Sequence, residues 1–468
     1  MELTLSGDLS GLSVTVDGMP CAPVVLVDAT RARCTAPAHP PAVVPIAVSS
    51  VDGSASLAAG LVYLTPGAYQ MGGPADDRTS GVAVDAEGSL YLSGGTNGAL
   101  DGPGAGAFDA LLAKYDAAGR LLRTRQLGTS VWDYARDVAI DPGTGDVLIV
   151  GYGAGDIDGD GVTAGGTDVF VARFTADGAR VWVRQIGSAG NDEAWDLAVD
   201  AGGNTVVSMW TDAAFAGATH AGGLDHAVAR LTRDGSLAWV RQVGTPSDDQ
   251  AHSVGVARDG TAYIVGCTRG ALEEGRANAG DRDLFIARYD TDGSRAWIRQ
   301  RGSATSDQAF DVTVDASGRP WLVGATNGSL DGQANAGGDD VLVMRFSSTG
   351  DWELTRLRGS AGNEMSFGLA IDAAGRVFCS FHTPLSLDGQ SYSGGPNDVG
   401  VFAWSPDGSH GFTRLSGSPG NDLASSIAVA PIGLVYVSVV TDGALDARPS
   451  RGGDDAAVLK LDGAGAFL

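Results

Sequence analysis

Residues 192–210, DEAWDLAVDAGGNTVVSMW, and residues 225–244, DHAVARLTRDGSLAWVRQVG, decide the fold of this chain. Together they contain four short runs of alternating apolar and polar residues, which is the pattern of half-buried β-strands. Short turns that contain glycine join the first run to the second and the third to the fourth, as in antiparallel hairpins. The second and third runs are separated by a long loop, residues 211–224. The segment therefore predicts a four-stranded antiparallel sheet.

This unit occurs seven times, with a leading glycine every 56 to 59 residues. The leading glycines are Gly72, Gly128, Gly187, Gly244, Gly302, Gly359 and Gly417. Four strands in a period of this length predict an all-β fold, a seven-bladed propeller of four-stranded blades over residues 66–468. A closed ring also removes the unpaired edges that an open array would expose. A linear β-solenoid fits less well, because its coils are shorter and its strands are parallel.

The ends of the repeated region predict how the ring closes. The seventh copy stops at LDGAGAFL, residues 461–468, where the other copies continue into a fourth strand. The segment GAYQMGG, residues 67–73, aligns with that missing strand. We therefore expect the last blade to take its fourth strand from the start of the repeats.

The alternation of strand direction predicts two different faces. The loops between strands two and three, and those between blades, must emerge on one face, and the Asp-Gly turns on the other. Because loops on a rigid scaffold often carry function, the loop face is the expected interaction surface. A sugar-binding aromatic residue is expected at its rim, near which Trp132, Tyr152 and Trp195 lie. The aromatic residues expected to pack between blades are Trp182, Trp239, Trp297 and Trp352 in the fourth strands.

Residues 1–65 read as a separate small β-sandwich, with short strands such as LSVTVDG and APVVLVD between turn residues. They resemble the IPT/TIG immunoglobulin-like family. The resemblance rests on Val14, Val16, Gly18, Pro20, Cys21, Thr30, Cys34, Pro37, Val48, Asp52, Gly53 and Tyr63. The family has one more strand before LTLSG, so the resemblance implies an N-terminally truncated module that acts as a spacer or stalk. We expect a disulfide between Cys21 and Cys34 in an oxidising compartment, and Cys267 and Cys379 to be buried thiols.

The repeats resemble the SBBP repeat of bacterial surface and secreted propeller proteins, through recurring G-x-x-x-x-D, VDAxG, LDG and GGxD elements over about 400 residues. The resemblance implies a secreted or cell-surface location and no particular activity. No signal peptide is visible in the first residues, MELTLSGD, so either the protein is intracellular or the start of the sequence is trimmed. The truncation implied by the IPT/TIG resemblance favours the second interpretation, with any export signal upstream.

Charge narrows the range of partners. The chain has 56 acidic and 31 basic residues, for a formal net charge of −25. This charge disfavours nucleic acid and anionic membranes, and no apolar run is long enough for membrane insertion. Such a surplus of carboxylates would attract Ca²⁺, or it would simply keep a large β protein soluble.

The motif that most clearly indicates a cation site is GDIDGDGVTAGGTD, residues 155–168. Asp156, Asp158 and Asp160 form D-x-D-x-D-G, in which carboxylates two residues apart can turn towards one cation. Thr167 stands where an EF-hand loop has its bidentate glutamate, and Asp168 follows as a candidate fourth carboxylate. The alternative is an acidic turn whose aspartates bond their own backbone.

The remaining acidic and histidine residues support weaker hypotheses. We read the LDG and LDA aspartates as turn-forming, and the GGxD aspartates as caps of the third strands. They are Asp101, Asp331, Asp388 and Asp446, and Asp168, Asp225, Asp283, Asp340, Asp398 and Asp455, respectively. His220 and His226 could bind zinc with Asp225. His252 could form an acid–base pair with Asp248 or Asp249, and a solvated loop histidine is the favoured alternative.

The sequence predicts a monomeric, non-enzymatic binding or scaffold protein, extracellular or on the cell surface. Its acidic propeller face would bind a protein, glycan or matrix partner, with the help of Ca²⁺. The alternative is a polysaccharide hydrolase or lyase with carboxylates at the mouth of the central channel. Two carboxylates about 5 to 10 Å apart in a pocket, one with a raised pKa, would favour the enzyme.

Overall fold

The structure is a computed structural model. It describes residues 76–468, apart from 102–103, 118 and 446–452, and, before residue 76, the strands named below and residue 12. The chain forms two compact units, the first built mainly on Met1–Pro66 and the second on Gly67–Lys114 and Arg123–Phe467.

The first unit contains two antiparallel sheets, of strand order β1–β5–β4 and β3–β2–β6–β7. Its strands are β1 (Glu2–Thr4), β2 (Ser13–Val16), β3 (Met19–Pro20), β4 (Val24–Leu26), β5 (Arg31–Cys34), β6 (Ala42–Ser50) and β7 (Gly53–Tyr63). Cys21 lies outside the described residues, so its disulfide with Cys34 stays a prediction.

The second unit confirms the seven-bladed propeller, because its strands form seven four-stranded sheets. Blades 1 to 3 are β9 (Asp77–Val84), β10 (Leu90–Thr96), β11 (Asp109–Tyr115) and β12 (Leu121–Leu127); β13 (Asp133–Ile140), β14 (Val147–Gly153), β15 (Asp168–Phe174) and β16 (Arg180–Ile186); and β17 (Asp192–Val199), β18 (Thr205–Thr211), β19 (Asp225–Leu231) and β20 (Leu237–Val243).

Blades 4 to 7 repeat this arrangement. They are β21 (Asp249–Val256), β22 (Ala262–Thr268), β23 (Asp283–Tyr289) and β24 (Arg295–Arg301); β25 (Asp307–Val314), β26 (Pro320–Thr326), β27 (Asp340–Phe346) and β28 (Trp352–Arg358); β29 (Met365–Ile371), β30 (Val377–Thr383), β31 (Asp398–Trp404) and β32 (His410–Ser416); and β33 (Asp422–Val429), β34 (Val435–Thr441) and β35 (Asp455–Leu461) with β8 (Tyr69–Met71).

Strand β8 closes the ring as the sequence predicted. It pairs antiparallel with β35, the third strand of blade 7, with Tyr69 opposite Val458 and Met71 opposite Ala456. The last blade is therefore completed by the first strand of the propeller unit, which holds the ring shut through backbone hydrogen bonds.

The core consists of apolar layers between neighbouring blades. The second and third strands are almost entirely buried, as in β14 and β15, whereas the fourth strands alternate between exposed and buried residues. Between blades 2 and 3, for example, Val150 and Val171 pack in one cluster with Leu197 and Val207. The first strands of adjacent blades contact one another around the ring, so they are the innermost strands.

Tryptophans of the fourth strands pack between neighbouring blades, as predicted. The indole Nε1 groups of Trp182, Trp239 and Trp297 donate hydrogen bonds of 3.2, 3.0 and 3.3 Å to carbonyl oxygens in the turn between the third and fourth strands of the next blade. Trp352 also contacts a neighbouring blade, through the guanidinium of Arg301, 4.6 Å from its ring centre. Trp352 begins β28, and Leu354 occupies the third position, where the other three tryptophans stand.

Candidate functional site

The seven innermost strands surround a central channel with a cavity of about 710 Å³. This volume lies within the usual range for small-molecule sites, about 300–1,000 Å³. The channel is the candidate functional site, because side chains from all seven blades converge on it.

A β-bulge at the same position in every blade supplies the channel wall. One residue of each innermost strand, the fourth in six blades and the third in blade 6, has no partner on the second strand, because the register shifts there by one residue. The bulged residues are Ser80, Arg136, Trp195, His252, Phe310, Phe367 and Ser425, and all seven line the channel. A bulge redirects a side chain without changing the strand on either side. We call these seven residues the bulge ring.

Four bulged residues form an arc of rings along one side of the channel. The ring centres of Trp195 and His252 are 4.9 Å apart, those of His252 and Phe310 5.2 Å, and those of Phe310 and Phe367 4.7 Å. His382 extends the arc, 5.8 Å from Phe367. Such separations are typical of favourable aromatic pairs. The opposite side of the bulge ring carries Ser80 and Ser425.

A second aromatic group continues this arc to the protein surface. Trp132, which is 37% exposed, stacks on Tyr134 with ring centres 6.0 Å apart, and lies 5.1 Å from Tyr152. The guanidinium of Arg136 joins this group to the arc, 5.5 Å from the Tyr152 ring and 4.4 Å from the Trp195 ring. The structure thus connects the three rim aromatics that the sequence singled out, and adds Arg136 and Tyr134, which sequence reasoning missed. We call the whole set, from Trp132 to His382, the aromatic track.

Beside the bulge ring, three carboxyl groups and one hydroxyl form a chain of hydrogen bonds across blades 2 to 5. Asp137 is hydrogen-bonded to Asp196. The Ser253 hydroxyl lies 2.5 Å from Asp196 Oδ2 and 2.7 Å from Asp311 Oδ1. We call Asp137, Asp196, Ser253 and Asp311 the carboxyl belt. Sequence reasoning missed it, because nothing in the strands shows that these residues meet.

The carboxyl belt holds at least one carboxyl proton, because two carboxyl groups such as those of Asp137 and Asp196 can share a hydrogen bond only when one of them is protonated. Burial raises the pKa of all three carboxyl groups, and the neighbouring carboxylates raise those of Asp137 and Asp311 further, to about 7 for Asp311. The belt therefore carries less negative charge than three ionised carboxylates would.

The belt also links adjacent blades. Asp196 Oδ2 accepts the backbone N–H of Val254 at 2.8 Å, and Asp311 Oδ2 accepts that of Leu369 at 2.6 Å. Val312 donates its N–H to Ser253 Oγ at 3.1 Å. Each of these bonds runs from one innermost strand to the next, so the belt fastens the ring as well as lining the channel.

His252 is part of the channel wall, and the prediction that it is a solvated loop residue was wrong. It is only 4% exposed, and its Nδ1 donates to the carbonyl oxygen of Ala309 at 2.9 Å, because a carbonyl can only accept. Burial lowers the pKa of His252 to about 4. It is therefore neutral at pH 7, with Nε2 as a hydrogen-bond acceptor, and among the described residues it forms no hydrogen bond to Asp248 or Asp249.

The histidines of blade 3 are arranged differently from a zinc site. His226 is fully buried and its Nε2 is hydrogen-bonded to the hydroxyl of Tyr289, while His220 Nε2 bonds the carbonyl of Gly223. Asp225 binds Gln242 Nε2 and the backbone of Ala221. Each of the three groups has its own partner within the described residues.

The acidic motif of blade 2 brings together three of its four candidate ligands. Carboxylate oxygens of Asp156, Asp158 and Asp160 lie within 4.8 Å of one another. They also accept backbone N–H groups of their own loop, at Gly159, Asp160, Gly161 and Val162. Asp168 lies outside this group and is buried, where it accepts hydrogen bonds from Ala164 N and Gln185 Nε2.

The recurring aspartates divide into two structural groups. Those of GGxD begin the third strands, and Asp168, Asp225, Asp283 and Asp340 each accept the backbone N–H four residues earlier, so the cap interpretation is confirmed for these four. Asp331 and Asp388 have positive φ angles of 52° and 51°. They pair with Arg301 and Arg358 of the preceding blade, which the simple turn interpretation did not include. Asp446 lies outside the described residues.

Comparison with known proteins supports the fold of both units. Residues 3–63 match the family described as IPT/TIG domain. The structure resembles that of puromycin hydrolase, with a TM-score of 0.50 and 15% identity, over 87% of this chain and 56% of that one. A polysaccharide lyase, PL25 ulvan lyase, gives a TM-score of 0.49 and 10% identity, over 85% of this chain and 97% of the lyase. At these identities the likeness concerns the fold alone.

One curated protein is similar in sequence. "Regulatory protein FlaEY" of Caulobacter vibrioides (strain ATCC 19089 / CIP 103742 / CB 15) is 24% identical over 164 residues. The match covers 32% of this chain and only 17% of the length of FlaEY. Within the described residues, no helix is long and apolar enough to cross a membrane.

Proposed function

We propose that this chain is a non-enzymatic binding protein of the bacterial cell surface or exterior, whose propeller binds a glycan along the aromatic track. The observation that carries the proposal is the unbroken series of ring contacts from exposed Trp132 to His382 inside the channel. The IPT/TIG match supports a stalk that presents the propeller. We expect the protein to act as a monomer without nucleic-acid partners.

The chemistry of the track favours a sugar over other ligands. Sugar rings carry apolar C–H faces that pack on aromatic side chains, and hydroxyl groups that need polar partners close by. Trp195, Phe310 and Phe367 are half-buried and so keep part of their surface open to the channel. Ser80, Ser425 and His252 supply hydroxyl and imidazole groups at the same level.

A glycan array tests this function, with and without Ca²⁺. We expect specific binding by the intact chain and at least tenfold weaker binding by Trp132→Ala and Trp195→Ala, because each loses a stacking surface worth about 1.4 kcal/mol or more. Trp352→Ala is the matched control, because Trp352 is 43% exposed on a fourth strand outside the channel. Binding that only a protein or matrix preparation reproduces, or binding unchanged in both variants, would contradict the glycan proposal.

A second function is favoured by the carboxyl belt. Asp196 and Asp311 are bridged by one hydroxyl in a cavity, and the pKa of Asp311 is raised to about 7, which suits a general acid. The belt's bonds to backbone N–H groups of the next blades favour a structural role instead. Release of reducing ends or of unsaturated products from a panel of polysaccharides, lost in Asp311→Asn, would establish a hydrolase or lyase.

We also propose that the acidic motif of blade 2 binds Ca²⁺ through Asp156, Asp158 and Asp160, with Asp168 as a further carboxylate beside them. Three like charges within 4.8 Å repel one another when the loop is empty, and a cation would relieve that repulsion. The loop borders a groove between blades 2 and 3 that includes Asp158, Asp168 and Trp239. Ca²⁺ would therefore shape the surface beside this groove.

A further inference from the structure

We propose that the channel selects sugars that carry a carboxylate, with Arg136 binding the carboxylate while the sugar ring packs on Trp195. This inference rests on the proposed glycan-binding function and adds the chemical class of the ligand. Its basis is the contact of one open cationic donor and one open acceptor with the same indole ring.

Arg136 presents a hydrogen-bond donor to the channel. Its Nη2 donates to the hydroxyl of Tyr152 at 3.1 Å, and its Nε is buried without a partner. Among the described residues, its Nη1 makes no hydrogen bond and is not one of the buried unpaired atoms, while the side chain lines the channel. The terminal Nη1 group is thus the donor left open for a ligand.

The guanidinium of Arg136 is held by rings rather than by an acid. Tyr134, Tyr152 and Trp195 lie 5.7, 5.5 and 4.4 Å from it. Within the described residues it forms no ion pair, and the nearest acid in its network, Glu193, is reached through the Tyr152 hydroxyl. A desolvated guanidinium of this kind keeps its charge available for a carboxylate, to which charge-assisted hydrogen bonds are strong.

His252, which also contacts Trp195, offers an acceptor. Its Nδ1 donates to Ala309, and the neutral imidazole leaves the Nε2 lone pair without a partner among the described residues. Because His252 and Arg136 both contact Trp195, a ligand at the indole would be near a cation and an acceptor. A sugar acid matches this set of groups, since it has a carboxylate, a C–H face and hydroxyl donors.

The other charged groups on the channel wall do not cancel this preference. Arg78 is already paired with Asp454 at 2.9 Å. Burial raises the pKa of all three aspartates of the carboxyl belt, so the belt carries less negative charge than three ionised carboxylates would. Arg136 is therefore the charged member of the bulge ring that faces the ligand.

The decisive experiment compares trigalacturonate with its fully methyl-esterified form by calorimetry on the intact chain. The two probes have the same sugar ring and length and differ in the carboxylate. We expect the acid to bind about ten- to one-hundred-fold more tightly, since a hydrogen bond to a charged group contributes about 1.5–3 kcal/mol. Arg136→Gln should remove the difference, and Arg136→Lys should restore part of it.

The outcomes separate this inference from the function on which it rests. Equal binding of acid and ester by the intact chain would overturn the carboxylate preference and leave glycan binding standing. Binding of neither probe, together with an empty glycan array, would overturn both. If Arg136→Gln does not fold, the comparison of the two probes on the intact chain still decides.

Discussion

Gly266 faces the backbone carbonyl of Gln250 so closely that a Cβ atom at Gly266 would lie 1.8 Å from that oxygen. Gln250 stands two residues before the bulged His252, on the strand that Gly266 pairs with. Gly94, Gly151 and Gly324 occupy the same place opposite the bulges of blades 1, 2 and 5, with Cβ distances of 1.8 to 2.0 Å to the facing carbonyl oxygens. In these blades the bulge requires the absence of a side chain on the second strand.

We expect Gly266→Ala to destabilise the chain by about 1–3 kcal/mol, the usual cost of overpacking a well-packed site. Gly104→Ala is the control, because its nearest atom would be 3.5 Å away. Chemical denaturation of both variants measures the difference. Similar stability of the two variants would show that the innermost strand can move away from residue 266 at little cost. Blade 3 points the same way, because Met209 occupies the position that corresponds to Gly266.

The stability of the ring should fall as the pH rises from about 4 to 7. Asp311 has a folded-state pKa of about 7, whereas an unfolded aspartate titrates near 3.9, so the folded chain holds a proton in this window that the unfolded chain has lost. Asp311→Asn cannot ionise and should show a flatter profile, with the two slopes differing by on the order of 1 kcal/mol per pH unit.

The control for this pH profile is Asp407→Asn, at an exposed turn where hydrogen bonds from Ser409 lower the pKa of the carboxyl group. In the unsubstituted chain the Asp407 carboxyl group stays ionised throughout this pH range. Its removal should therefore leave the slope unchanged, and the profile of Asp407→Asn should parallel that of the unsubstituted chain. Melting temperatures measured between pH 5 and pH 8 provide the comparison. Parallel profiles for all three proteins would mean that the carboxyl belt does not take up protons on folding.

Replacing residues 67–73 by a flexible Gly/Ser segment of equal length should lower the melting temperature of the propeller substantially. The replacement weakens the β8–β35 pairing, and the third strand of blade 7 is left with an unpaired edge. Differential scanning calorimetry measures the change. An unaltered melting temperature would show that blades 1 and 7 hold the ring by their packed faces alone.

Ca²⁺ should bind weakly, with a Kd of about 10⁻⁴ to 10⁻³ M, because the loop lacks the bidentate glutamate of an EF-hand. Calorimetric titration should give heat for the intact chain and for Asp407→Asn, and none for Asp158→Ala. Stabilisation at a few millimolar Ca²⁺ should be on the order of 1 kcal/mol. The same heat in all three proteins would leave the motif as an acidic turn.

The Cys21–Cys34 disulfide, if formed on oxidising expression, should stabilise the first unit by about 3 kcal/mol through closure of a short loop. Mass spectrometry of the unreduced protein should find this pair linked and Cys267 and Cys379 free, since both are buried and burial raises the pKa of their thiols to about 11 and 12. Detection of four free thiols would contradict the expectation.

The fold could be predicted because its determinants are local and repeated. Alternation marks each strand, glycine marks the short turns, and the shortened seventh copy with its counterpart at residues 67–73 marks the closure. Trp352 shows the limit of this method: its sequence neighbourhood resembles that of Trp297, but two residues of register separate their positions in the strands.

The site could be predicted only in part, because its residues meet across blades. The rim position of Trp132 follows from its loop, and the structure connects it to Trp195 as expected of rim aromatics. Nothing near Ser253 in the sequence indicates Asp196 or Asp311, which lie more than fifty residues away on either side. His252 was misread because its local sequence, DDQAHS, is polar, while its burial comes from neighbouring blades.

The seven bulges give the protein a way to vary its ligand without disturbing its fold. A bulged residue has no cross-strand partner, so its replacement breaks no pairing in the sheet and leaves the apolar layers between blades untouched. The bulge ring holds two serines, two phenylalanines, an arginine, a tryptophan and a histidine in a chain whose strands otherwise repeat one another closely. Selection, or a designer, can therefore change the ligand specificity of the channel by substituting one bulged residue at a time, while the pairing of the strands stays the same.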